Sequence, residues 1–195
     1  ANVYLEDWSN GMKDSPDYVF ALVDALRGEG VGRFLLPDTL GVLNPLTTHD
    51  FMRRMVRRYP GLRFDFHAHN DYDMAIANVF AAVKAGCHGI HTAVNGLGER
   101  AGNAALASVQ AILKDHFGAQ TGIDESRLFR LSRIVADYSG IPIPSNAPIT
   151  GESVFTQVAG VHADGDNKSG LYCNALLPER FGRRREYALG KNSGK

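Results

Sequence analysis

A chain of 195 residues can build one sizeable core with a small appendage. Its 21 basic side chains balance 21 acidic ones, so no net field is available to gather nucleic acid or an anionic membrane surface. No apolar run approaches a membrane span, no signal peptide is recognisable, and Cys87 and Cys173 are too few for a disulfide framework, so a cytoplasmic protein is expected.

Residues 2–5 read as a strand ending in Glu6-Asp7, followed by a loop over residues 8–14. Ser15-Pro16 then supplies an N-cap and a first-turn proline for a helix with Val19, Leu22, Val23 and Leu26 as its buried stripe. A second strand, residues 33–37, ends in Asp38-Thr39-Leu40-Gly41. Thr48 is expected to cap the next helix, which carries Phe51, Met52, Met55 and Val56 on one face and Arg53, Arg54, Arg57 and Arg58 on the solvated side. A third strand, residues 62–69, delivers His67 and His69. The helix over residues 73–85 turns Ala77, Phe80 and Val83 inward, and a fourth strand, residues 88–94, leads into a glycine-rich loop and a helix over residues 103–116. Beyond Gly118 the pattern changes. Asp124 caps a helix whose apolar face is Leu128, Leu131, Ile134 and Val135. A proline-rich connector follows, and then short elements with polar clusters at Val161-His162-Ala163-Asp164-Gly165 and Leu171-Tyr172.

Strands alternating with helices through short loops argue for parallel βα units, whose right-handed crossovers bring every strand's carboxyl end to one rim. Four units make half of an eight-stranded barrel, and two open edges would invite pairing. The start without methionine and the close on Gly190-Lys191-Asn192-Ser193-Gly194-Lys195 read as a piece of a longer protein. The chemistry concentrates in Phe64-Asp65-Phe66-His67-Ala68-His69-Asn70-Asp71. Histidines two apart on a strand share a face, and two same-face imidazoles suit a divalent ion. One core histidine and one turn histidine would give the same letters. The second polar strand end is Asn95-Gly96-Leu97-Gly98-Glu99-Arg100-Ala101-Gly102-Asn103. By pattern alone His88 and His91 have packing roles, His49 and His116 lie on the surface, Asn103 is a helix N-cap or a ligand, and His162 is an exposed loop residue.

The histidine segment and the glycine-rich segment, at this spacing, resemble the paired signatures of the 2-isopropylmalate, homocitrate and citramalate synthase family. The resemblance covers essentially the whole chain. It implies an α/β fold in which residues 1–120 are the C-terminal half, the last four βα units, of a catalytic TIM barrel, and residues 121–195 are small, mostly helical linker subdomains. It implies metal-dependent Claisen condensation of acetyl-CoA with a 2-oxoacid, with 2-isopropylmalate synthase as the first expectation and homocitrate or citramalate synthase as alternatives. His67, His69 and Asn103 match metal ligands for zinc, manganese or magnesium, and the family's remaining ligand, an aspartate beside an arginine, is not in this sequence. Thr39 matches the residue that binds the oxoacid carboxylate, and Glu99 a glutamate near the acyl-CoA. Glu6, His162 and Tyr172 match residues of proton transfer, the last two reaching the partner's site in a homodimer. Three departures stand out: Asp73 replaces a usual glycine, Asn192 replaces a usual histidine, and the spacing from Tyr172 to Pro178 is one residue longer.

Two readings outside this family remain on the residues alone. A histidine pair at a barrel strand end also serves metal-dependent hydrolases, though those want further histidines and an aspartate base. A non-catalytic metal-binding half-barrel or interaction module is the third reading.

Overall fold

The computed structural model describes residues 1–169 and 174–190. Ala1–Val109 forms one compact unit and Gln110–Lys195 a second.

The first unit runs β1 (Asn2–Tyr4), α1 (Trp8–Asp14), α2 (Pro16–Leu26), β2 (Arg33–Asp38), α3 (Pro45–Arg58), β3 (Phe64–Ala68), α4 (Ala75–Ala85) and β4 (Gly89–His91). All four strands are parallel and lie in the order β1-β2-β3-β4. This is the sequential winding of a partial β/α barrel. Alternation along the strands separates two faces. Phe34, Leu36, Phe64, Phe66 and Ala68 are fully buried in a core that also holds Trp8, Met52, Met55 and Val79. Leu35, Asp65, His67 and His91 take the opposite parity, with Leu35 paired to Asp65 and His67 to His91. The sheet curls toward that second face. In a flat sheet β1 and β4 would stand about 14 Å apart, yet the Tyr4 hydroxyl shares a 3.1 Å hydrogen bond with Nδ1 of His91.

Local structure departs from the sequence expectation where tertiary packing overrides pattern. Residues 8–14 form helix α1 and not a loop, because Trp8, Ser9 and Met12 are buried. At Gly11 a Cβ would stand 2.9 Å from Val19 Cγ2, so the glycine permits close packing on α2. The α3 cap is Asn44, whose side chain accepts from the N–H groups of Leu46 and Thr47; Thr47 answers with a reciprocal bond, and Thr48 lies inside the helix. On α4 the inward set is Ala75, Asn78, Val79 and Ala82, while Ala77 is exposed. That helix is apolar nearly all round, so periodicity cannot choose a face; Asn78 does, donating through Nδ2 to the Leu43 carbonyl at 2.9 Å. Arg54 and Arg58 are not simply solvated, since their guanidinium carbons lie 5.5 and 4.7 Å from the Phe20 ring centroid.

Helix α5 (Leu106–Phe117) starts three residues after Asn103 and crosses from the first unit into the second. The second unit continues with a 3-10 turn, Glu125–Arg127, capped by Asp124, and with α6 (Leu128–Ser139). Of the expected α6 stripe Leu128 is buried, whereas Leu131 and Ile134 are 36% and 42% exposed. Further elements are the short parallel pair β5 (Thr156–Gln157) and β6 (Glu186–Tyr187), and α7 (Gly160–Ser169). A polar cluster ties this unit together. Glu125 accepts from Lys114 Nζ at 2.7 Å and from Arg180 Nη2 at 2.9 Å, and Arg180 Nη1 reaches Asp115 Oδ1 at 2.9 Å. Among the described residues no helix is long and apolar enough to cross a membrane.

Candidate metal centre

β3 is a rigid, doubly packed strand, and it projects His67 into the curled face while the chain just beyond it carries His69. The two Nε2 atoms stand 3.3 Å apart with the rings nearly perpendicular, at 87°. Two imidazole nitrogens bound to one ion at about 2.1 Å are separated by roughly 3.0 to 3.4 Å, depending on the angle at the ion. Burial, then His69 and His91 nearby, pushes the His67 pKa down to about 4, so the imidazole is the neutral form that ligates a metal.

Asn103 arrives beside His69 because the glycine-rich loop folds back to form an antiparallel bridge, His69 to Asn103. The Asn103 amide is oriented by its Nδ2, which donates to the Leu97 carbonyl at 2.9 Å. Its Oδ1 is buried without a hydrogen-bond partner, as are both Nδ1 atoms of His67 and His69. Gly98 makes this possible, since any Cβ there would collide with the Asn103 amide. Two imidazoles and an unpartnered amide oxygen fit part of a divalent-ion ligand set. Among the described residues no group of three or more His, Cys, Asp or Glu side chains could hold a metal, so this donor set mixes nitrogen with a neutral oxygen.

Thr39 follows β2 and meets Glu6, which follows β1. The Thr39 hydroxyl donates to Glu6 Oε1 at 2.8 Å and accepts from the Asp7 N–H at 2.9 Å. Just before it, Asp38 is fully buried and closes the corner by accepting from the N–H groups of Val42 and Leu43 at 3.0 and 3.1 Å. Burial raises the Asp38 pKa although these bonds oppose the shift. Glu99 is exposed, with its main-chain carbonyl accepting from Gly102 at 2.8 Å.

The first unit thus brings Glu6, Thr39, His67, His69, Glu99 and Asn103 to the carboxyl ends of neighbouring strands. His162 belongs to the second unit. It lies in the first turn of α7 and not in a loop, its N–H donating to the Ala159 carbonyl at 3.0 Å. Tyr172 lies outside the described residues. By sequence pattern His91 has only a packing role and Arg100 no role of its own, yet both make contacts at these strand ends. His91 has its ring centroid 5.7 Å from that of His67 and lies 3.7 Å from Asp65, which Arg33 holds at 2.6 Å. Arg100 donates to both oxygens of Asp71, at 2.7 and 3.0 Å, and to the Thr39 carbonyl at 2.8 Å. His88 keeps a packing role, its Nδ1 accepting from the Phe64 N–H at 3.2 Å. A cleft of about 580 Å³ in the second unit is lined by residues such as Arg133, Asp137, Pro142 and Glu152, and none of the expected site residues borders it.

Comparison with known proteins places this geometry in context. The sequence model of the HMGL-like family matches residues 6–135. The homocitrate synthase of Sulfurisphaera tokodaii is 41% identical over 186 residues, 95% of this chain and 40% of the relative. That of Sulfolobus acidocaldarius is 43% identical over 178 residues, covering 91% of this chain and 38% of the relative. The chain therefore spans about two fifths of the length of these curated relatives. Among solved structures, hydroxymethylglutaryl-CoA lyase from Pseudomonas aeruginosa is 26% identical, with a TM-score of 0.61 over 68% of this chain and 46% of that one. The HMG-CoA lyase of Bacillus subtilis gives a TM-score of 0.63 at 24% identity over 74% of this chain and 50% of that one, and shows the fold alone.

Proposed function

Because the chain belongs to the HMGL-like family, we propose that it carries the metal-binding part of the catalytic barrel of an enzyme that condenses acetyl-CoA with a 2-oxoacid. The observation that carries this reading is the convergence of His67 and His69 Nε2 at 3.3 Å on a strand end. The oxoacid we assign is 2-oxoglutarate. The expectation of 2-isopropylmalate synthase gives way here, since two relatives that align with nearly the whole chain at about 40% identity are homocitrate synthases.

His67, His69 and Asn103 would hold the divalent ion. Bound there, it supplies Lewis-acid polarisation of the oxoacid's keto group. We assign Thr39 to the oxoacid carboxylate, and in this structure its hydroxyl hydrogen is donated to Glu6. Binding therefore requires that hydrogen to swing from Glu6 Oε1 to the substrate, which releases Glu6 for proton transfer in the same movement. The condensation needs a base to take a methyl proton from acetyl-CoA and an acid to protonate the keto oxygen as the carbon–carbon bond forms. Water then cleaves the C–S bond of the condensed thioester, giving a carboxylate and free CoA thiol. Glu6, His162 and Tyr172 are the groups we assign to those proton transfers, the last two acting across a homodimer, and we assign Glu99 to the acyl-CoA.

The test is a substrate panel on the full-length protein with a divalent ion and acetyl-CoA, following release of free thiol. Turnover with 2-oxoglutarate, and little with 2-oxoisovalerate or pyruvate, is the expected outcome. Preference for 2-oxoisovalerate would restore the 2-isopropylmalate reading, and no thiol release with any oxoacid would remove the condensation reading altogether.

A further inference from the structure

Arg100 is the side chain that joins three strand-end loops. It sits in the glycine-rich loop with φ of 53°, a left-handed backbone that few long side chains adopt. Its guanidinium grips both oxygens of Asp71, two residues beyond His69, and the carbonyl of Thr39. Planar two-point recognition of this kind fixes orientation as well as distance, which a lysine at the same place cannot do. A second, independent feature shows that the junction is built to be tight. The Thr39 corner closes over Asp71 at Gly41, where a Cβ would stand 2.5 Å from Asp71 Oδ2 and φ is 62°. The Thr39 hydroxyl is in turn tied to Glu6 and Asp7. A continuous set of contacts therefore runs from the end of β1 through the end of β2 to the ends of β3 and β4.

We infer that Arg100, acting through Asp71 and the Thr39 carbonyl, is a positioning residue that sets Thr39 and Glu6 relative to the His67–His69 pair. This rests on the condensation reading for its kinetic consequence, though not for its geometry. Small misplacements of binding groups cost on the order of tenfold to a hundredfold in rate. A group that acts only by positioning transmits its whole effect through its partners.

The experiment uses the full-length protein with Arg100→Ala, Arg100→Lys, Asp71→Ala and the Arg100→Ala/Asp71→Ala pair. Each is expected to lower kcat/KM for the oxoacid by at least roughly tenfold. The pair should be no worse than either single alanine variant, because both cut the same clip. Arg100→Lys should not rescue. Manganese affinity should stay within about threefold of wild type, since the histidines ride on β3. Wild-type kinetics in Asp71→Ala beside a large loss in Arg100→Ala would overturn the inference, for Arg100 would then be touching substrate. Rescue by lysine would overturn it too. If the parent protein turns over no oxoacid, the condensation reading fails separately, and amide exchange still decides the clip. Faster exchange over residues 39–41 and 99–103 in both single alanine variants supports it, and unchanged exchange overturns it.

Discussion

In the Gln110–Lys195 unit, Glu125 is 6% exposed and meets Lys114 and Arg180, while Arg180 also reaches Asp115. At the strand ends of the Ala1–Val109 unit, Nδ1 of His67, Nδ1 of His69 and Oδ1 of Asn103 are buried with no partner. Burying a polar group without a hydrogen bond costs stability, so native folds pair nearly all of them. The first cluster follows that rule and behaves as a structural tie. The second breaks it at three atoms, and the Nε2 atoms of the same two rings face each other at 3.3 Å. Unpartnered atoms also occur at Trp8, Ser9, Thr48, Asp65 and Asn78, so what sets the strand-end cluster apart is the buried Asn103 Oδ1 close to two facing imidazole nitrogens.

The largest expected effect breaks this contrast if it fails. The His67→Ala/His69→Ala pair in the full-length protein should weaken divalent-ion binding by well over about a hundredfold, since loss of an outer-shell partner alone costs 10- to 100-fold. Calorimetry measures it. The same pair should leave the urea midpoint of the metal-free protein unchanged or raised, because it removes unpartnered nitrogens. A marked loss of stability would mean that the histidines are core residues.

The comparison sharpens if a residue of the second unit proves chemical. His162→Ala is expected to cut kcat by roughly a hundredfold, the scale of a general acid–base contribution. Steady-state kinetics with metal saturating reads this out, and near-normal kcat would return His162 to the surface of α7.

How much of this was legible in the letters differs by element for physical reasons. The four βα units could be read because alternating apolar strands and capped helices repeat at short spacing, and the parallel order follows from the crossovers. Helix α1 was not legible: its seven residues carry Gly11 and no stripe, and it is helical because Trp8 and Met12 have somewhere to go. The histidine pair was visible from its spacing on a strand. His91 was not, since it nears His67 and Tyr4 only when the sheet curls, and curvature is a property of the whole sheet. Arg100 was hidden for a similar reason. Its reach to Asp71 and Thr39, 29 and 61 residues away, depends on a left-handed turn that no local pattern specifies.

Glu125→Gln should destabilise the protein by about 2 kcal/mol, below the usual cost of breaking a buried pair because Lys114 is half-exposed. Burial alone would raise the Glu125 pKa, but the hydrogen bonds from Arg180 and Lys114 outweigh it and hold the carboxyl low. A depressed carboxyl contributes stability above its unfolded pKa and loses it as pH falls through the folded one. Chemical denaturation across the acid range should therefore show a decline for the parent that the glutamine variant flattens. The smallest effect belongs to Thr39, whose hydroxyl is already partnered. Thr39→Ala should raise KM for the oxoacid about tenfold and leave kcat largely unchanged, the pattern of lost uniform binding. A fall in kcat with KM unchanged would move Thr39 into the chemistry.

The central claim is that His67, His69 and Asn103 form one ion site. Anomalous diffraction from crystals of the full-length protein grown with manganese or zinc tests it most directly. The predicted result is a single peak about 2.0–2.3 Å from Nε2 of both histidines and from Oδ1 of Asn103. An ion bound elsewhere, with the histidines still facing each other at 3.3 Å, would contradict it.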